Sequence, residues 1–560
     1  MISWITDNVI TPLGTTTQQN YQAVKAGCSA LCRYNGKWGI PEPFSAALFT
    51  DEQNAGMVVE GLTRFESLAY NSAERAVMEA GVEVTSDRVV FILSTTKANI
   101  DTRSPSIAAQ RIAARLGVTT QPIVVSNACI SGVSAIVLAL RLLNSGVYDY
   151  AIVCGADIQN KFTVSGFHSL KALSAEPCRP FDIERTGLSL GEAAATVVFK
   201  TVKGPGSSVE GGGQYYVTAG AIRNDAFHIT SPSKDGEGSR QVLASVMEEC
   251  DTSQIAFINA HGTATMFNDQ MESKAIERAG LNNVPVNGLK GFFGHTLGAA
   301  GILETVISLH AIKDNTILAT KGFEERGVSG KIVVTHENMP TEKQGFIKMI
   351  SGFGGCNGAV LVGVEREKAT GKGVVRNEVL MRKTHMVYIN PTQVIVDGKA
   401  LPHKEQGRAL LVELYRNHVG NYPKFYKMDA LSRLGFVASE LLLSHDVAGT
   451  EDTAVILFNH SSSVQADNAY LETIKDDAYF PSPSIFIYTL PNIVTGEIAI
   501  RHNYHSETSF YILDSRNDAI AEKIVSASFA DCATKRVLCG WLDYLDDNNY
   551  EAELQLIQRY

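Results

Sequence analysis

Residues 122–132 read Pro-Ile-Val-Val-Ser-Asn-Ala-Cys-Ile-Ser-Gly and restrict the fold more than any other run. The β-branched stretch 123–125 predicts a buried strand, and the apolar stretch 133–143 predicts a helix of about three turns. Cys129 therefore sits on a tight turn at a helix N-terminus. Unpaired N–H groups and the helix dipole gather there, so we expect a lowered pKa for the thiol. A buried structural thiol is an equally good interpretation of these residues alone.

Apolar strands alternate with helices on both sides of this turn. We predict strands at 88–93, 150–155, 194–199, 254–259 and 359–363, and helices at 17–26, 62–80, 105–116, 236–250, 270–279 and 299–313. Continuous apolar strands that alternate with helices are typical of a sheet covered on both faces. The first 365 residues or so therefore predict an α/β domain with two βαβ-type halves, in which residues 288–295 form a loop.

Composition excludes several classes of protein. The net charge of −10 argues against a nucleic-acid binder. Nine cysteines, an odd number without a repeated CxxC pair, suit a reducing compartment. The N-terminus has no signal-peptide pattern, and the chain has no apolar run long enough to span a membrane. We expect a cytoplasmic protein without nucleic-acid or membrane partners.

Two histidines are candidates for a site built around Cys129. His261 follows the predicted strand 254–259, and His295 lies in Gly-His-Thr-Leu-Gly just before a helix. A cysteine nucleophile needs a base and an oxyanion site. The histidines could supply the base, and the glycine loop 352–355 could bring backbone N–H groups to an oxyanion. We disfavour a metal site, since no HxxxH or CxxC spacing accompanies them.

Two charged residues lie close in sequence to these histidines. Lys290 shortly precedes His295, and Glu272 lies on the helix predicted after His261. Taken alone, Lys290 is an ordinary surface lysine. Alternatively, Lys290 and Glu272 could pair with each other beside the histidines. The glycine loop also loosely resembles a nucleotide-binding run, but it lacks the full GxGxxG register.

Five stretches, in order along the chain, together carry a family resemblance. They are Asn127-Ala-Cys-Ile-Ser-Gly, Arg179-Pro-Phe-Asp-Ile-Glu-Arg-Thr-Gly-Leu-Ser-Leu-Gly-Glu, Ala260-His-Gly-Thr-Ala-Thr, Lys290-Gly-Phe-Phe-Gly-His-Thr-Leu-Gly-Ala-Ala-Gly and Gly352-Phe-Gly-Gly-Cys-Asn-Gly. The first 365 residues resemble a β-ketoacyl-[acyl-carrier-protein] synthase of the thiolase superfamily. A Cys–His–His set is typical of its elongating branch. The resemblance implies a thiolase-like, layered αβαβα fold with two related halves.

The resemblance also implies an activity, decarboxylative Claisen condensation, for fatty acid, polyketide or polyene synthesis. Cys129 would take an acyl chain from a carrier-protein thioester, with the backbone N–H groups of Cys129 and Phe353 as the oxyanion hole. His261 and His295 would hold the thioester carbonyl of malonyl-[acyl-carrier-protein] and promote its decarboxylation. The product would be a β-ketoacyl thioester on the carrier.

Further residues receive supporting roles from the same resemblance. Lys290 and Glu272 would order the histidines, and Thr263 and Thr265 would line the channel for the phosphopantetheine arm. The glycine loop would contribute Gly354 and Gly355. No resident cofactor or metal is implied, because the arm arrives on the acyl carrier protein. The expected assembly is a homodimer, or a heterodimer with a synthase-like subunit.

Two features depart from the family pattern. Ser351 occupies a gate position where the family usually has phenylalanine, which affects pocket gating and chain-length preference. The segment between Ser94 and Ser106 is also shorter than in the family, where it helps to form the dimer and the acyl pocket.

The last third of the chain resembles a degenerate repeat of the first. We expect a catalytic domain at 1–368, a charged linker at 369–385 and a degenerate synthase half without a nucleophile at 386–560. The matches are Leu68 with Leu434, Val90 with Val455, and Cys154-Gly155 with Cys539-Gly540. Residues 481–500 resemble the longer segment that the family carries where this chain is short, between Ser94 and Ser106. Two unrelated α/β pieces are the alternative.

This repeat predicts a thiolase-like half domain that acts as a pseudo-partner to the catalytic domain. A surface for carrier-protein docking is the other interpretation of it. Two alternatives to the condensing activity also stand. One is a non-catalytic partner of the chain-length-factor kind, and the other is a thioester hydrolase or acyltransferase on the same scaffold.

Overall fold

The computed structural model describes residues 1–100, 104–202, 215–248, 250–364, 381–444 and 453–559. Strands and helices alternate through these residues, so the predicted α/β class is confirmed. The helices and strands form three units, each built on a mixed set of strands called a sheet below, and pairings between edge strands join the three sets. No helix in the described ranges has the length and apolar character of a membrane span.

The first sheet holds five strands and carries the Cys129 turn at one edge. Across the sheet they are Ile123–Val125, Val89–Ser94, Tyr150–Asp157, Ala193–Thr201 and Ile2–Ile10. The first three run parallel and the last two pair antiparallel. Its helices are Thr17–Lys25, Arg64–Ala80, Pro105–Leu116, Ser131–Asn144 and Lys161–Ser169.

The second sheet carries the histidine loops. Its strands in order are Tyr215–Asn224, Cys356–Val364, Gly345–Gly352, Ile255–Asn259, Pro285–Asn287 and Val333–Val334. Its helices are Glu237–Met247, Met266–Arg278, Lys290–Phe293 and Ala300–Lys313. The strand Tyr215–Asn224 was not among our predictions, although Tyr-Tyr-Val-Thr at its start is typical of strands.

Two largely buried helices form the layer between these sheets. In Ser131–Asn144 every residue but the last is buried, and Ala300–Lys313 is nearly as apolar. A helix that is apolar all round belongs in a core. A Cβ on Gly132 would lie 2.8 Å from the Ile302 nitrogen, so the two helices touch backbone to backbone at this point. The thiolase-like layered fold is therefore confirmed.

The third sheet repeats the strand order and directions of the first. Its strands are Met381–Asn390, Asn549–Arg559, Arg536–Asp546, Thr453–Asn459 and Thr508–Ile512, in that order. The edge strands of the two sheets pair antiparallel, with Val125 opposite Tyr511. Its helices are Gly407–His418, Ala430–Leu443, Val464–Leu471, Pro483–Tyr488, Ile493–His502 and Asp518–Ser528.

Several predicted bounds were wrong, and the helix predicted at 236–250, for example, is Glu237–Met247. Residues 288–295 are not simply a loop, since they contain the short helix Lys290–Phe293. The helix predicted at 270–279 begins earlier, at Met266. The linker predicted at 369–385 ends too late, because a strand starts at Met381, where hydrogen bonds to Asn549–Arg559 outweigh the local charge. Residues 369–380 lie outside the described residues.

Candidate active site

Cys129 lies on the strand-to-helix turn that the sequence predicts. The strand ends at Val125, and a 3-10 turn leads directly into the helix Ser131–Asn144. Ala128 has a φ of 48°, an uncommon value for a residue with a side chain, so the turn stores some strain. The Ser131 hydroxyl fixes the turn, because it accepts from the Asn127 N–H (2.8 Å) and donates to the Ala128 carbonyl (2.6 Å).

His295 is held by a backbone conformation that requires glycine before it. A Cβ on Gly294 would lie 2.1 Å from the Leu190 carbonyl oxygen, and Gly294 has a φ of 68°. The His295 N–H donates to the Ser189 carbonyl at 2.7 Å. The Leu297 N–H donates to His295 Nδ1 at 3.2 Å. Because Nδ1 accepts, the neutral imidazole carries its proton on Nε2, which becomes a hydrogen-bond donor.

His261 is positioned through its backbone by two charged groups. The Glu272 carboxylate accepts from the His261 N–H (2.6 Å) and the Gly262 N–H (2.8 Å). Lys290 Nζ donates to the His261 carbonyl at 2.7 Å. Glu272 and Lys290 therefore both order the histidine loop. The predicted pairing of Glu272 with Lys290 was wrong, because the Glu272 oxygens are taken up by backbone N–H groups and by Asn268.

The carboxylate that pairs with Lys290 belongs to Glu304. Lys290 Nζ lies 2.7 Å from Glu304 Oε1, and Lys348 pairs with the other oxygen of the same carboxylate. All three side chains are buried. The sequence analysis missed Glu304 and Lys348. A signal existed, since Glu304 is the single acidic residue in the apolar helix Ala300–Lys313.

Cys129, His261 and His295 converge within the interior. Their potential ligand atoms lie within 4.8 Å of one another, and the imidazole centroids are 4.9 Å apart. Residues far apart in sequence thus meet here, so the lack of an HxxxH or CxxC spacing does not exclude a metal. Charge still opposes a cation, since the buried ammonium groups of Lys290 and Lys348 act on both histidines. The same charges favour a substrate that is anionic.

The three reactive groups are uncharged at rest. Burial raises the pKa of Cys129 to about 12, while the nearby Lys290 charge and the backbone N–H groups of Cys129 and Phe353 partly oppose this. The expected lowering of this pKa was wrong, because desolvation outweighs the helix N-terminus. Burial, and then the charge on Lys290, hold the pKa of His261 and of His295 well below their usual range.

The backbone N–H groups of Cys129 and Phe353 both act on the Cys129 sulfur. The glycine loop makes this approach possible. A Cβ on Gly352 would lie 3.3 Å from the Cys129 nitrogen, and Gly354 and Gly355 adopt φ values of 91° and 74°. Two N–H donors aimed at one point next to the thiol could bind the oxygen of an acyl group on Cys129.

A wide cavity leads from the surface to these residues. Its lining includes Thr263 and Thr265, whose hydroxyl oxygens are 2.8 Å apart, and the exposed Phe267. Ser351 lines the same cavity, and its hydroxyl donates to Asn357 Oδ1 at 2.7 Å. No aromatic side chain thus stands at position 351, and the hydroxyl is tied into the wall.

A second, narrow cavity begins at Cys129 and Phe353 and runs toward the third sheet. Its lining includes Phe486, Thr489 and Leu490, three residues that follow the predicted linker. None of these three residues was predicted from the sequence to belong to the site. They lie in the stretch 481–500 that the sequence analysis identified as a substitute for the shortened segment.

Two family models match the chain. The N-terminal domain of beta-ketoacyl synthase matches residues 80–203, and the C-terminal domain matches residues 216–324. The chain is 33% identical over 253 residues to 3-oxoacyl-[acyl-carrier-protein] synthase 2 of Rhizobium meliloti, covering 42% of this chain and 59% of that protein. It is 33% identical over 281 residues to the synthase of the same name from Vibrio cholerae, covering 46% of this chain and 66% of that one. The chain thus spans less than two thirds of these relatives.

Solved structures show the same fold. The PfaC keto synthase–chain length factor matches with a TM-score of 0.77 and 13% identity, covering 100% of this chain and 78% of that one. A ketosynthase in complex with its type II PKS acyl-carrier protein matches with a TM-score of 0.57 and 19% identity, covering 65% of this chain and 99% of that one.

The fold and the site together define a thiolase-like protein with a buried cysteine and two histidines. Residues 80–203 and 216–324 match the two domains of beta-ketoacyl synthase, and the site has the Cys–His–His set that the resemblance assigns to the elongating branch. The resemblance noted in the five sequence motifs is thereby confirmed.

Proposed function

We propose that this protein catalyses decarboxylative condensation of an acyl group on Cys129 with a malonyl thioester on an acyl carrier protein. The observation that carries the proposal is the convergence of Cys129, His261 and His295 beside two backbone N–H donors. Both relatives described above are 3-oxoacyl-[acyl-carrier-protein] synthases, which supports the same chemistry.

The first half-reaction transfers the acyl group. The Cys129 sulfur attacks the carbonyl carbon of the incoming thioester, and the N–H groups of Cys129 and Phe353 bind the carbonyl oxygen as it becomes negative. The bond to the phosphopantetheine sulfur then breaks. The proton of the Cys129 thiol finally resides on that leaving thiol, so no net charge remains in the buried site.

The second half-reaction forms the carbon–carbon bond. The neutral His295 donates from Nε2 to the malonyl thioester oxygen, and His261 supports the same oxygen. Carbon dioxide leaves, and its bonding electrons form an enolate whose charge the donors and the Lys290 ammonium stabilise. The enolate carbon attacks the acyl carbonyl, and the Cys129–acyl bond breaks to release a β-ketoacyl thioester. The Cys129 sulfur then takes up a proton from solvent in the wide cavity, which restores the neutral thiol.

We also propose that residues 386–560 act as a covalently attached pseudo-partner. The Phe510 N–H donates to Asn127 Oδ1 at 2.7 Å, and the Ser126 N–H donates to the Phe510 carbonyl at 3.1 Å. These bonds join the third unit to the strand that leads to the nucleophile. Where the nucleophile would follow in the repeat, residues 513–518 read Leu-Asp-Ser-Arg-Asn-Asp, so this copy has no cysteine at the corresponding position.

Buried ion pairs support the same proposal. Arg141 pairs with Glu507, and Arg223 lies 2.5 Å from Asp531, with all four side chains at most one-tenth exposed. Each pair joins the catalytic domain to the third unit. Charges buried in this way are costly unless they remain paired, so the two units are expected to stay together.

The remaining parts of the proposal concern partners and location. We propose an acyl carrier protein as the substrate carrier, with its phosphopantetheine arm passing Thr263 and Thr265 in the wide cavity. A further synthase-like subunit is proposed as an additional partner. All nine cysteines are free, which supports a reducing, cytoplasmic location.

Intact-mass analysis tests the condensing activity. The protein is incubated with an acyl-carrier thioester and then with a malonyl-carrier thioester. We expect an acyl adduct that is absent from Cys129→Ala, present in the matched buried-thiol control Cys154→Ala, and removed only by the malonyl carrier. Absence of any adduct would indicate a non-catalytic partner. Loss of the adduct in water alone would indicate a hydrolase.

A further inference from the structure

The wall of the narrow cavity next to Cys129 contains a charged group. Its wall is mainly apolar, with Phe167 and Phe486 packed edge to face at a centroid distance of 5.5 Å. The lining also includes Lys97, which is buried. An ammonium group is an unexpected boundary for a cavity whose proposed occupant is an acyl chain.

The acceptors of the Lys97 ammonium come from the third unit. Lys97 Nζ lies 2.5 Å from Asp467 Oδ1 and 3.1 Å from the Ser463 hydroxyl, and it also donates to the Thr489 carbonyl. The ammonium lies 5.5 Å from the centre of the Phe162 ring. Lys97 and Asp467 are both largely buried, with side-chain exposures of 7% and 12%. The charged part of the cavity wall therefore belongs to an ion pair between the two units.

Little room is left between Cys129 and this ion pair. The free space in the cavity holds about one water molecule, which is close to the size of a methyl group. The wall cannot easily move aside, because the Phe486 ring occupies the place where Gly166 lacks a side chain. A Cβ on Gly166 would lie 2.0 Å from that ring.

A longer acyl chain would have to displace Lys97. Moving the ammonium would break its bonds to Asp467, to the Ser463 hydroxyl and to the Thr489 carbonyl while it is still buried, which is strongly unfavourable. The apolar chain would meanwhile contact charged groups that it cannot hydrogen-bond. An acetyl-sized group needs neither change, because its methyl group fits the space already present.

We propose that the Lys97–Asp467 ion pair is a specificity determinant that restricts the acyl group on Cys129 to about acetyl size. This inference rests on the proposed condensing function and names the acyl donor for it. The pair spans the interface between the catalytic domain and the third unit, so the pseudo-partner sets the length of the accepted chain through Asp467.

The test compares acetyl and octanoyl thioesters of N-acetylcysteamine as acyl donors. The rate of adduct formation on Cys129 is followed by intact-mass analysis on the full-length protein. We expect the wild-type protein to accept acetyl at least a hundredfold faster than octanoyl. The double variant Lys97→Met/Asp467→Leu, which removes both charges together, should reduce that ratio at least tenfold.

The matched control is Asp476→Asn. Asp476 pairs with Lys161, again across the two units, but neither residue lines the narrow cavity. This variant should keep the wild-type ratio, and Lys97→Arg, which retains a cation opposite Asp467, should still exclude octanoyl. Thermal unfolding shows whether each variant is folded. If the double variant does not fold, the acetyl-to-octanoyl rate ratio of the wild-type protein still tests the restriction to about acetyl size.

Two failures can be told apart. Equal acetyl and octanoyl rates in the wild-type protein, or an unchanged ratio in a folded double variant, would overturn the proposed ion-pair selection while leaving the condensing function in place. Absence of any adduct from either thioester would overturn the proposed function, and the selection with it.

Discussion

Asn492 Nδ2 donates a hydrogen bond of 2.9 Å to the carbonyl oxygen of Phe353. Phe353 supplies an N–H group of the proposed oxyanion hole, while Asn492 belongs to the third unit. The next residue, Gly354, has a φ of 91°, and a Cβ there would lie 2.7 Å from Asn492 Nδ2. The third unit therefore contacts the loop that places one of the two donors.

We expect Asn492→Ala to slow acylation of Cys129 by roughly tenfold. Removal of a donor from an oxyanion hole costs about 10²–10³ in rate, and an indirect displacement should cost less. The acyl adduct rate is the measurement, with Tm as the check on folding. Asn468→Ala, at an exposed position of the same unit, is the control. Equal rates in Asn492→Ala and wild type would show that the bond does not position the donor.

Substitution of a site histidine should separate malonyl decarboxylation from acylation of Cys129. We expect His295→Ala to retain adduct formation on Cys129 but to lose malonyl decarboxylation by about 10²–10³, because a neutral donor to the thioester oxygen is removed. Carbon dioxide release from the malonyl carrier is the measurement.

His310→Ala provides the control for this substitution. His310 bonds to Asp7 at 2.9 Å and lines neither cavity. Both activities should therefore survive its loss. A His295→Ala protein that releases carbon dioxide at the wild-type rate would remove His295 from the reaction.

The pH dependence of Cys129 follows from its desolvation. Burial raises its pKa to about 12, so the neutral thiol dominates at every pH at which the protein would normally be assayed. The thiolate fraction should therefore rise about tenfold per pH unit from pH 7 to pH 9, without a plateau. Alkylation of Cys129 by iodoacetamide, followed by mass analysis with Cys129→Ala as background, measures it. A plateau above pH 7 would indicate an activated thiolate instead.

Local patterns were enough to predict the α/β class and the turns that carry Cys129, His261 and His295, while the layered fold was implied by the resemblance of the five motifs. Cys129 follows a β-branched strand, and the glycines beside His261 and His295 mark tight turns. The charged pairs were not predictable in the same way. Whether Lys290 pairs with Glu272 or Glu304 depends on which helix packs below the loop, and the pKa of Cys129 depends on how completely the surroundings exclude water.

The same limit explains why the narrow cavity was missed. Lys97 and Asp467 lie in different units, and their pairing requires the relative placement of two sheets. Periodicity within either segment contains no information about that placement. The repeat between Leu68 and Leu434 indicated that the units are related, but it did not indicate which surfaces face each other.

The buried Glu304 should be essential for stability. It pairs with both Lys290 and Lys348, so Glu304→Gln would leave two buried ammonium groups without their counter-charge. We expect the free energy of unfolding to fall by about 3–5 kcal/mol. The exposed pair between Arg75 and Glu79 is the control, where Glu79→Gln should change stability by less than about 0.5 kcal/mol. Chemical denaturation measures both, and similar values for the two variants would contradict the buried triad.

The pairing of the edge strand Ile123–Val125 with the third unit predicts how a truncated protein assembles. In the full chain it pairs antiparallel with Thr508–Ile512, so a protein that ends at residue 368 would expose its N–H and C=O groups. The truncation also leaves the buried Arg141 without Glu507. We expect this truncated protein to self-associate through the exposed edge, or to aggregate, and to lose condensing activity. Light scattering after size-exclusion chromatography gives the mass, with the full chain as reference. A monomeric, fully active truncation would show that residues 386–560 do not act as a pseudo-partner.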